Sequence, residues 1–203
     1  MQYTIFEVPV LRNLLQGLSI LILKIFGWRR VGQLPDFPKY VIIVAPHTSN
    51  WDLFVGLALA FAFKLKAYWL GKDVLFRWPI RGFFKWLGGI PIDRSKSVDV
   101  VAQMVEVFRE KAKMVIALAP EGTRKKVSYW KTGFYHIAWG ANVPIVFAFL
   151  DYLRKAGGIG FTFKPTGDIQ ADMEVIRAFY ARVTGKYPEE AGLVAVMPGK
   201  LNE

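Results

Sequence analysis

The sequence has no cysteine and only two histidines among its 203 residues. Without cysteine, the chain can form no disulfide, no thiolate zinc site and no cysteine nucleophile. The two histidines form neither a His-x-x-x-His nor a His-Glu-x-x-His pattern, so we predict that the protein holds no metal. Internal repeats and low-complexity linkers are absent as well. The length of the chain is typical of a single domain and is large enough to bury a sizeable core.

Acidic residues are scarce relative to basic ones. The sequence has 27 Lys and Arg against 16 Asp and Glu, which gives a formal net charge of +11, while 53% of its residues are hydrophobic. A chain that is both basic and strongly apolar favours an anionic lipid surface as its partner. Single-stranded nucleic acid is the alternative at this point, because basic residues interleaved with aromatic ones also bind single strands.

The amino-terminal region lacks an apolar run that could cross a bilayer, which takes about 20 residues. Residues 9–26, PVLRNLLQGLSILILKIF, instead predict an amphipathic helix with Pro9 in its first turn and Gly27 at its end. Its polar side carries Arg12, Asn13, Gln16, Ser19 and Lys24. A secretory signal fits poorly, because no basic region precedes the apolar run. Two interpretations remain: a core helix, or a helix that lies in the membrane interface, which we favour.

Membrane contact is expected at two places. Residues 76–89 place aromatic side chains among basic ones, which indicates either a second interfacial patch or a core helix with cations at its edge. The predicted membrane-contacting residues are Leu14, Leu18, Ile22, Trp28, Trp78 and Phe83. We therefore expect residues 1–30 to form a membrane-interface helix and residues 31–203 to form the main domain.

Apolar, β-branched segments alternate with segments of helical spacing along the rest of the chain. The predicted strands are residues 39–45, 67–71, 89–93, 114–119, 143–150 and 158–164. The predicted helices are residues 50–63, 80–87, 97–111, 133–140 and 169–183. This alternation predicts an α/β fold: a mixed, partly parallel central sheet flanked by helices, with the amino-terminal amphipathic helix at the membrane interface.

Polar segments follow three of the predicted strands. They are residues 46–52 (PHTSNWD), 93–96 (DRSK) and 120–126 (PEGTRKK). Because the carboxyl ends of parallel strands meet at one edge of a sheet, we expect these segments to lie close together. Together they supply one histidine, a carboxylate partner and several cations, which suits deprotonating a hydroxyl while holding a phosphate. Taken singly, each segment is also compatible with an ordinary helix start or turn.

Four short blocks appear in a characteristic order. They are HTSNWD (47–52), GIPIDR (89–94), PEGTR (120–124) and VPIV (143–146). In this order they resemble the glycerolipid acyltransferase family, the lysophosphatidic acid acyltransferases and their relatives. The resemblance covers roughly residues 39–150. Two positions depart from the family pattern: Ala119 stands where Phe is usual, and Lys125 where Ser is common.

The resemblance implies catalytic roles for His47 and Asp52. His47 would be the general base that takes a proton from the acceptor hydroxyl, and Asp52 would accept a hydrogen bond from the other ring nitrogen. Residues five apart lie about 140° apart around a helix, so the pair can meet only if His47 precedes the helix. No Gly-x-Ser-x-Gly motif is present, which weighs against an acyl-enzyme hydrolase.

The resemblance also implies an acceptor site. Its substrate-binding residues would be Arg94, Glu121, Gly122, Thr123 and Arg124. The two arginines would contact the acceptor's phosphate, Glu121 would orient the cations, and Gly122 would let the backbone approach closely.

The implied reaction moves a fatty acyl group from acyl-CoA or acyl carrier protein to the free hydroxyl of a lysophospholipid. We expect the acceptor to be 1-acyl-sn-glycerol-3-phosphate and the product phosphatidic acid, with residues 31–203 as the acyltransferase domain. No cofactor or metal is expected. The expected partner is an anionic phospholipid membrane, and not nucleic acid, with the protein bound peripherally at the cytoplasmic face. The alternatives are another lysolipid acceptor, or a catalytically silent lipid-binding protein of the same fold.

Overall fold

A seven-stranded sheet forms the centre of the protein in this computed structural model, which describes residues 4–92 and 97–197. The strands are β1 (Arg29–Val31), β2 (Lys39–Ala45), β3 (Tyr68–Lys72), β4 (Gly89–Ile92), β5 (Met114–Leu118), β6 (Ile145–Asp151) and β7 (Ala156–Phe163). The helices are α1 (Pro9–Ile25), α2 (Trp51–Ala62), α3 (Arg81–Trp86), α4 (Ser97–Glu110), α5 (Gly133–Gly140) and α6 (Ile169–Tyr180). Short 3-10 helices lie at Ile5–Glu7, Asp73–Phe76 and Pro188–Glu190. The predicted α/β fold class is confirmed.

The strand order in the sheet is β1-β7-β6-β2-β5-β3-β4. All neighbouring strands are parallel except β6 and β7, which are antiparallel. Only four residues connect β6 to β7, and a connection this short can join antiparallel neighbours only. The sheet is therefore mixed and partly parallel, as the sequence predicts.

The sheet is buried on both faces, which explains why strand β2 is apolar from Tyr40 to Ala45. Val41 and Ile43 point into a core shared with α4, α5 and α6. Tyr40 and Ile42 point to the opposite face of the sheet. On that face α1 and α2 pack against the sheet, with Leu23 in contact with side chains of α2.

Helix α1 turns most of its polar side toward the protein and most of its apolar side outward, although Leu23 is buried and Lys24 is exposed. Ser19 is buried, and the Gln16 side-chain amide donates a 3.2 Å hydrogen bond to the carbonyl of Ala62 at the end of α2. Leu14 and Leu18 are exposed on the other side of the helix. The alternative of an ordinary core helix therefore does not hold for this apolar side.

A helix that spans a bilayer needs about 20 predominantly apolar residues. Within residues 4–92 and 97–197, no helix is both long enough and apolar enough to cross a membrane.

Candidate active site

Two of the three polar segments meet at the carboxyl edge of the sheet. Strands β2 and β5 are adjacent, with Ile43 paired to Leu118, so the loops that follow them emerge side by side. The Glu121 carboxylate accepts a 2.7 Å hydrogen bond from the backbone N–H of His47. The expected convergence of these two loops is therefore observed. The third segment, with Asp93 and Arg94, lies outside the residues that the structure describes.

His47 lies in the loop before α2, as its spacing from Asp52 requires. Asp52 is the second residue of α2 and is 5% exposed, and its Oδ2 lies 3.1 Å from Nδ1 of His47. The same oxygen accepts 2.9 Å hydrogen bonds from the backbone N–H groups of Thr48 and Ser49. These bonds explain the local fold, because the carboxylate in the first turn of the helix binds the N–H groups of the preceding loop and fixes His47 beside it.

Tyr152 binds the second oxygen of Asp52. Its hydroxyl donates a 2.7 Å hydrogen bond to Oδ1. Burial opposes ionisation of Asp52, but the hydrogen bonds from His47, Tyr152 and Ser49 outweigh it and hold the pKa of this carboxyl below its usual value. An ionised carboxylate can only accept hydrogen bonds. Nδ1 of His47 is therefore the donor in this hydrogen bond, and in the neutral ring Nε2 is the nitrogen that can accept a proton from a substrate.

Sequence reasoning missed Tyr152 and its role. Burial and the neighbouring Asp52 raise its pKa well above the usual range, so the phenol stays protonated and remains a donor. A signal was available, because Tyr152 follows β6 directly, at the edge of the sheet where sites form. Its partner is 100 residues away in the sequence, and local patterns do not reveal such a pairing.

Glu121 holds the loop that carries His47 through a hydrogen bond to the backbone. The residue is 2% exposed, and its carboxylate also accepts a 3.3 Å hydrogen bond from the backbone N–H of Gly192. Burial raises its pKa, and the hydrogen bonds from His47 and Gly192 offset part of this effect. Sequence reasoning expected Glu121 to orient the neighbouring cations. In the described part of the chain, its observed hydrogen bonds are instead with backbone N–H groups.

An open cleft of about 300 Å³ is lined by the loop that follows His47. Because His47 is the candidate general base, we call this cleft the catalytic cleft. Its lining residues are Thr48, Ser49, Asn50, Trp51, Arg124 and Tyr187. Arg124 is exposed there and forms no ion pair with any described residue. The cleft thus places an uncompensated cation beside the loop that carries His47. Within the described ranges, no three His, Asp or Glu side chains cluster so that they could hold a metal ion.

The remaining residues of the PEGTR block shape the turn that presents Arg124. Gly122 has a φ of +68°, and an added Cβ would lie 3.0 Å from Cε of Lys131, so the turn favours glycine on both grounds. Thr123 is exposed, and its hydroxyl accepts a 3.4 Å hydrogen bond from the backbone N–H of Lys125. Its observed contact is internal to the turn.

Most of the side chains predicted to contact membrane are exposed. They are Leu14, Leu18 and Ile22 on α1, Trp78 before α3 and Phe83 within α3, with Trp78 91% exposed. Trp28 differs, because it is half-buried and packs edge-on against Tyr152 with 4.9 Å between ring centroids.

Three further exposed apolar side chains, which the sequence analysis missed, flank Asp52 itself. Trp51, Leu53 and Phe54 are 57%, 60% and 62% exposed. The first turn of α2 therefore exposes apolar side chains, while the carboxylate of Asp52 in the same turn is buried.

Comparison with known proteins gives two matches. The family model described as Acyltransferase matches residues 30–148, more than half of the chain. The fold is similar to that of the 1-acyl-sn-glycerophosphate (LPA) acyltransferase PlsC from Thermotoga maritima, with a TM-score of 0.57 and 16% sequence identity over 85% of this chain and 76% of that one. At this identity the likeness shows the fold alone. Comparison with curated proteins gives no match.

Proposed function

Since this chain belongs to the acyltransferase family, we propose that it transfers a fatty acyl group from a thioester donor to the free hydroxyl of a lysophospholipid. One observation carries the proposal: a histidine with one ring nitrogen 3.1 Å from a buried carboxylate directly precedes Thr48, which lines a cleft together with Arg124. The pair can activate a hydroxyl, and the arginine can hold the anionic head of the acceptor.

The proposed reaction is a direct transfer in which His47 moves a single proton. Nε2 takes the proton from the acceptor hydroxyl as its oxygen attacks the thioester carbonyl carbon. The new C–O ester bond forms, the C–S bond breaks, and the imidazolium returns the proton to the departing thiolate. Asp52 stabilises the imidazolium and keeps the ring in the required tautomer. Neither a metal nor a cofactor takes part in these steps.

The proposed acceptor is 1-acyl-sn-glycerol-3-phosphate, which would give phosphatidic acid. A phosphomonoester carries up to two negative charges, and the fork of an arginine can bind two of its oxygens at once. Arg124 supports this choice, because it is exposed in the catalytic cleft without an ion-pair partner in the described residues. We also propose Arg94, from the family pattern, as a second phosphate ligand.

Peripheral binding to an anionic membrane is proposed as the way the enzyme reaches this acceptor. The apolar side of α1 is exposed, and α1 packs against α2, whose exposed Trp51, Leu53 and Phe54 flank Asp52. A helix with an outward apolar side is suited to lie in the interface, and the net charge of +11 favours anionic lipid. Residues 1–30 would then be the interfacial segment of an acyltransferase domain at the cytoplasmic face.

A substrate panel tests the proposal. The purified protein is given labelled acyl-CoA or acyl carrier protein thioester, together with lysophosphatidate, lysophosphatidylcholine or lyso-aminolipid in mixed vesicles. We expect labelled diacyl product, with lysophosphatidate used best. Stoichiometric lipid binding without any labelled product, from either donor, would instead indicate a silent lipid-binding protein of the same fold.

A further inference from the structure

A second cleft lies at the same edge of the sheet as the catalytic cleft. It has a volume of about 370 Å³, and its lining includes Arg29, Arg154 and Arg182, the carboxylate residue Asp151, and the apolar Phe149 and Phe179. We call it the arginine cleft. Phe149 pairs with Ala45, the last residue of the strand that leads to His47. The catalytic cleft therefore lies at the carboxyl end of β2, and the arginine cleft lies at the carboxyl end of the neighbouring strand β6.

The arginine cleft carries positive charge that nearby carboxylates do not neutralise. Arg154 is fixed by bonds of 2.5 Å to the Asp151 carboxylate and 2.8 Å to the carbonyl of Arg182. Arg29 and Arg182 form no ion pair with any residue in the described ranges. Two free guanidinium groups beside a fixed third one are suited to bind phosphate oxygens.

The two aromatic side chains of the lining, Phe149 and Phe179, which we call the floor of the cleft, favour a ligand with an apolar group as well as negative charge. Phe149 and Phe179 pack edge-on with 5.9 Å between ring centroids, and both are partly accessible. A ligand that carries phosphates and also a flat or apolar group would satisfy the cations and the floor together. A nucleotide has this composition.

The two clefts are linked by the residues that shape the catalytic site. Tyr152, which binds Asp52, also donates its backbone N–H to the carbonyl of Thr184 at 2.9 Å. The chain then runs from Arg182, in the arginine cleft, to Tyr187, in the catalytic cleft. Five residues span at most about 18 Å, so a flexible arm bound in one cleft can reach the other.

We propose that the arginine cleft binds the nucleotide phosphates of an acyl-CoA donor, with the pantetheine arm extending past Tyr152 to His47. The inference rests on the proposed function, and it selects acyl-CoA over acyl carrier protein as the donor. The location of the cleft supports it. Phe179 belongs to α6, which packs on the sheet face opposite α1 and α2. A soluble nucleotide could therefore stay in water while the lipid acceptor enters from the membrane side.

Titration of CoA itself, without an acyl group, tests the cleft independently of turnover. Isothermal titration calorimetry compares the unchanged protein, the double variant Arg29→Ala/Arg182→Ala, and Arg109→Ala as a matched control on α4. Because each replacement removes a charge-assisted hydrogen bond to phosphate, we expect the double variant to raise the Kd for CoA at least about tenfold. Arg109→Ala should leave the Kd unchanged. Equal CoA binding by the double variant, or no CoA binding by the unchanged protein, would overturn the assignment.

Truncated donors give the matching kinetic test. The double variant should raise the KM for acyl-CoA, but not the KM for acyl-pantetheine, which lacks every phosphate, nor the KM for the lysolipid. An equal rise with both donors would contradict phosphate binding in this cleft. If no thioester supports turnover, the proposed function fails, while the CoA titration still decides whether the cleft binds the nucleotide.

Anionic vesicles separate a lipid phosphate from the phosphates of CoA. Arg29 lies within the proposed interfacial segment, so this test uses Arg182→Ala alone: vesicles of phosphatidylglycerol and phosphatidylcholine are sedimented with the unchanged protein and with Arg182→Ala. Equal vesicle binding is expected from both. Weaker vesicle binding combined with unchanged CoA binding would assign the cleft to a lipid headgroup and refute the proposal.

Discussion

The hydroxyl of Tyr152 donates a 2.7 Å hydrogen bond to Asp52, while its ring packs against Trp28. Trp28 follows α1 by three residues, and Asp52 holds the ring of His47. Tyr152 therefore connects the end of the outward-facing apolar helix to the catalytic pair. Its hydroxyl is bound to the carboxylate of Asp52 and acts on His47 only through that carboxylate, so we assign it a positioning role rather than a catalytic one.

Removing this hydroxyl should change the pH dependence of turnover. In Tyr152→Phe, Asp52 loses a hydrogen bond that lowers its pKa, so the fall in kcat on the acid side should move to higher pH. The loss of a hydrogen bond to a charged group predicts a decrease in kcat of about tenfold or more. The measurement is a kcat profile against pH, with the exposed Tyr129→Phe as the control. Superimposable profiles for Tyr152→Phe and the unchanged protein would rule out the positioning role.

Glu121 should affect stability more strongly when it is truncated than when it is replaced by an amide. Glu121→Ala leaves the N–H groups of His47 and Gly192 without their acceptor, which costs about 1–3 kcal/mol of unfolding free energy. Glu121→Gln keeps a carbonyl oxygen for the shorter of the two bonds. Urea unfolding of both variants measures the difference, and equal stability of the two would contradict the role of Glu121 in holding this loop.

The difference in unfolding free energy between Glu121→Gln and the unchanged protein should depend on pH, and the direction of this dependence can be predicted. Burial raises the pKa of Glu121 in the folded protein above the ordinary 4.5, so the folded state binds the proton more tightly than the unfolded state does. The ionisation of Glu121 therefore lowers the unfolding free energy of the protein. This effect is absent well below pH 4.5 and grows as the pH rises above that value. The unfolding free energy of Glu121→Gln should therefore gain on that of the unchanged protein between acid and neutral pH. A gain in the opposite direction would show that the carboxylate is stabilised by its site.

Arg124 tests the choice of acceptor. Arg124→Lys keeps the charge but loses the two-pronged geometry, so we expect a rise of about tenfold in the KM for lysophosphatidate, with the KM for the acyl donor nearly unchanged. Arg109→Lys, at an exposed position on α4, is the control. Activity on lysophosphatidylcholine equal to or better than that on lysophosphatidate would exclude the phosphomonoester as the preferred acceptor.

Membrane binding can be tested without disturbing the core. Deleting residues 1–28 would also remove Leu23, Ile5 and Phe6 from buried clusters, so point variants on the exposed side are cleaner. Leu14→Ser/Leu18→Ser should weaken binding to anionic vesicles about tenfold or more, because each exposed leucine can bury apolar area worth about 1.5–3 kcal/mol. Residual binding through Trp78 and Phe83 should remain and should fall as salt is added. Val175→Ser on α6 is the control, and equal binding by all proteins would refute the interfacial role of α1.

Sequence patterns predicted most strands of the sheet, because a strand that is buried on both faces is a nearly continuous run of apolar residues. β2 is apolar from its second residue onward, and its observed bounds are those predicted. The edge strand β1 was missed, because RRV is short, carries two charges and is exposed at every position. Its strand conformation comes from pairing with β7, which no local pattern encodes.

The site was predicted where its residues lie close in sequence and missed where they do not. His47 and Asp52 are five residues apart, and the need for His47 to precede the helix followed from helix geometry alone. The bonds from Glu121 to His47 and from Tyr152 to Asp52 span 74 and 100 residues, so only the folded sheet reveals them. In α1 the periodicity defined two sides of the helix, but it did not establish that Gln16 and Ser19 on the polar side pack inward while Lys24 is exposed.

The most direct test of the account compares the two histidines of the chain. His47→Gln and His136→Gln are assayed with acyl-CoA and lysophosphatidate, and circular dichroism verifies that both variants are folded. His136 lies on α5 and is half-buried, so its replacement controls for the loss of an imidazole elsewhere. The loss of a general base predicts a kcat that is lower by about 10²–10⁴-fold for His47→Gln, with His136→Gln close to the unchanged protein. A folded His47→Gln variant that turns over at a near-normal rate would contradict the proposed mechanism.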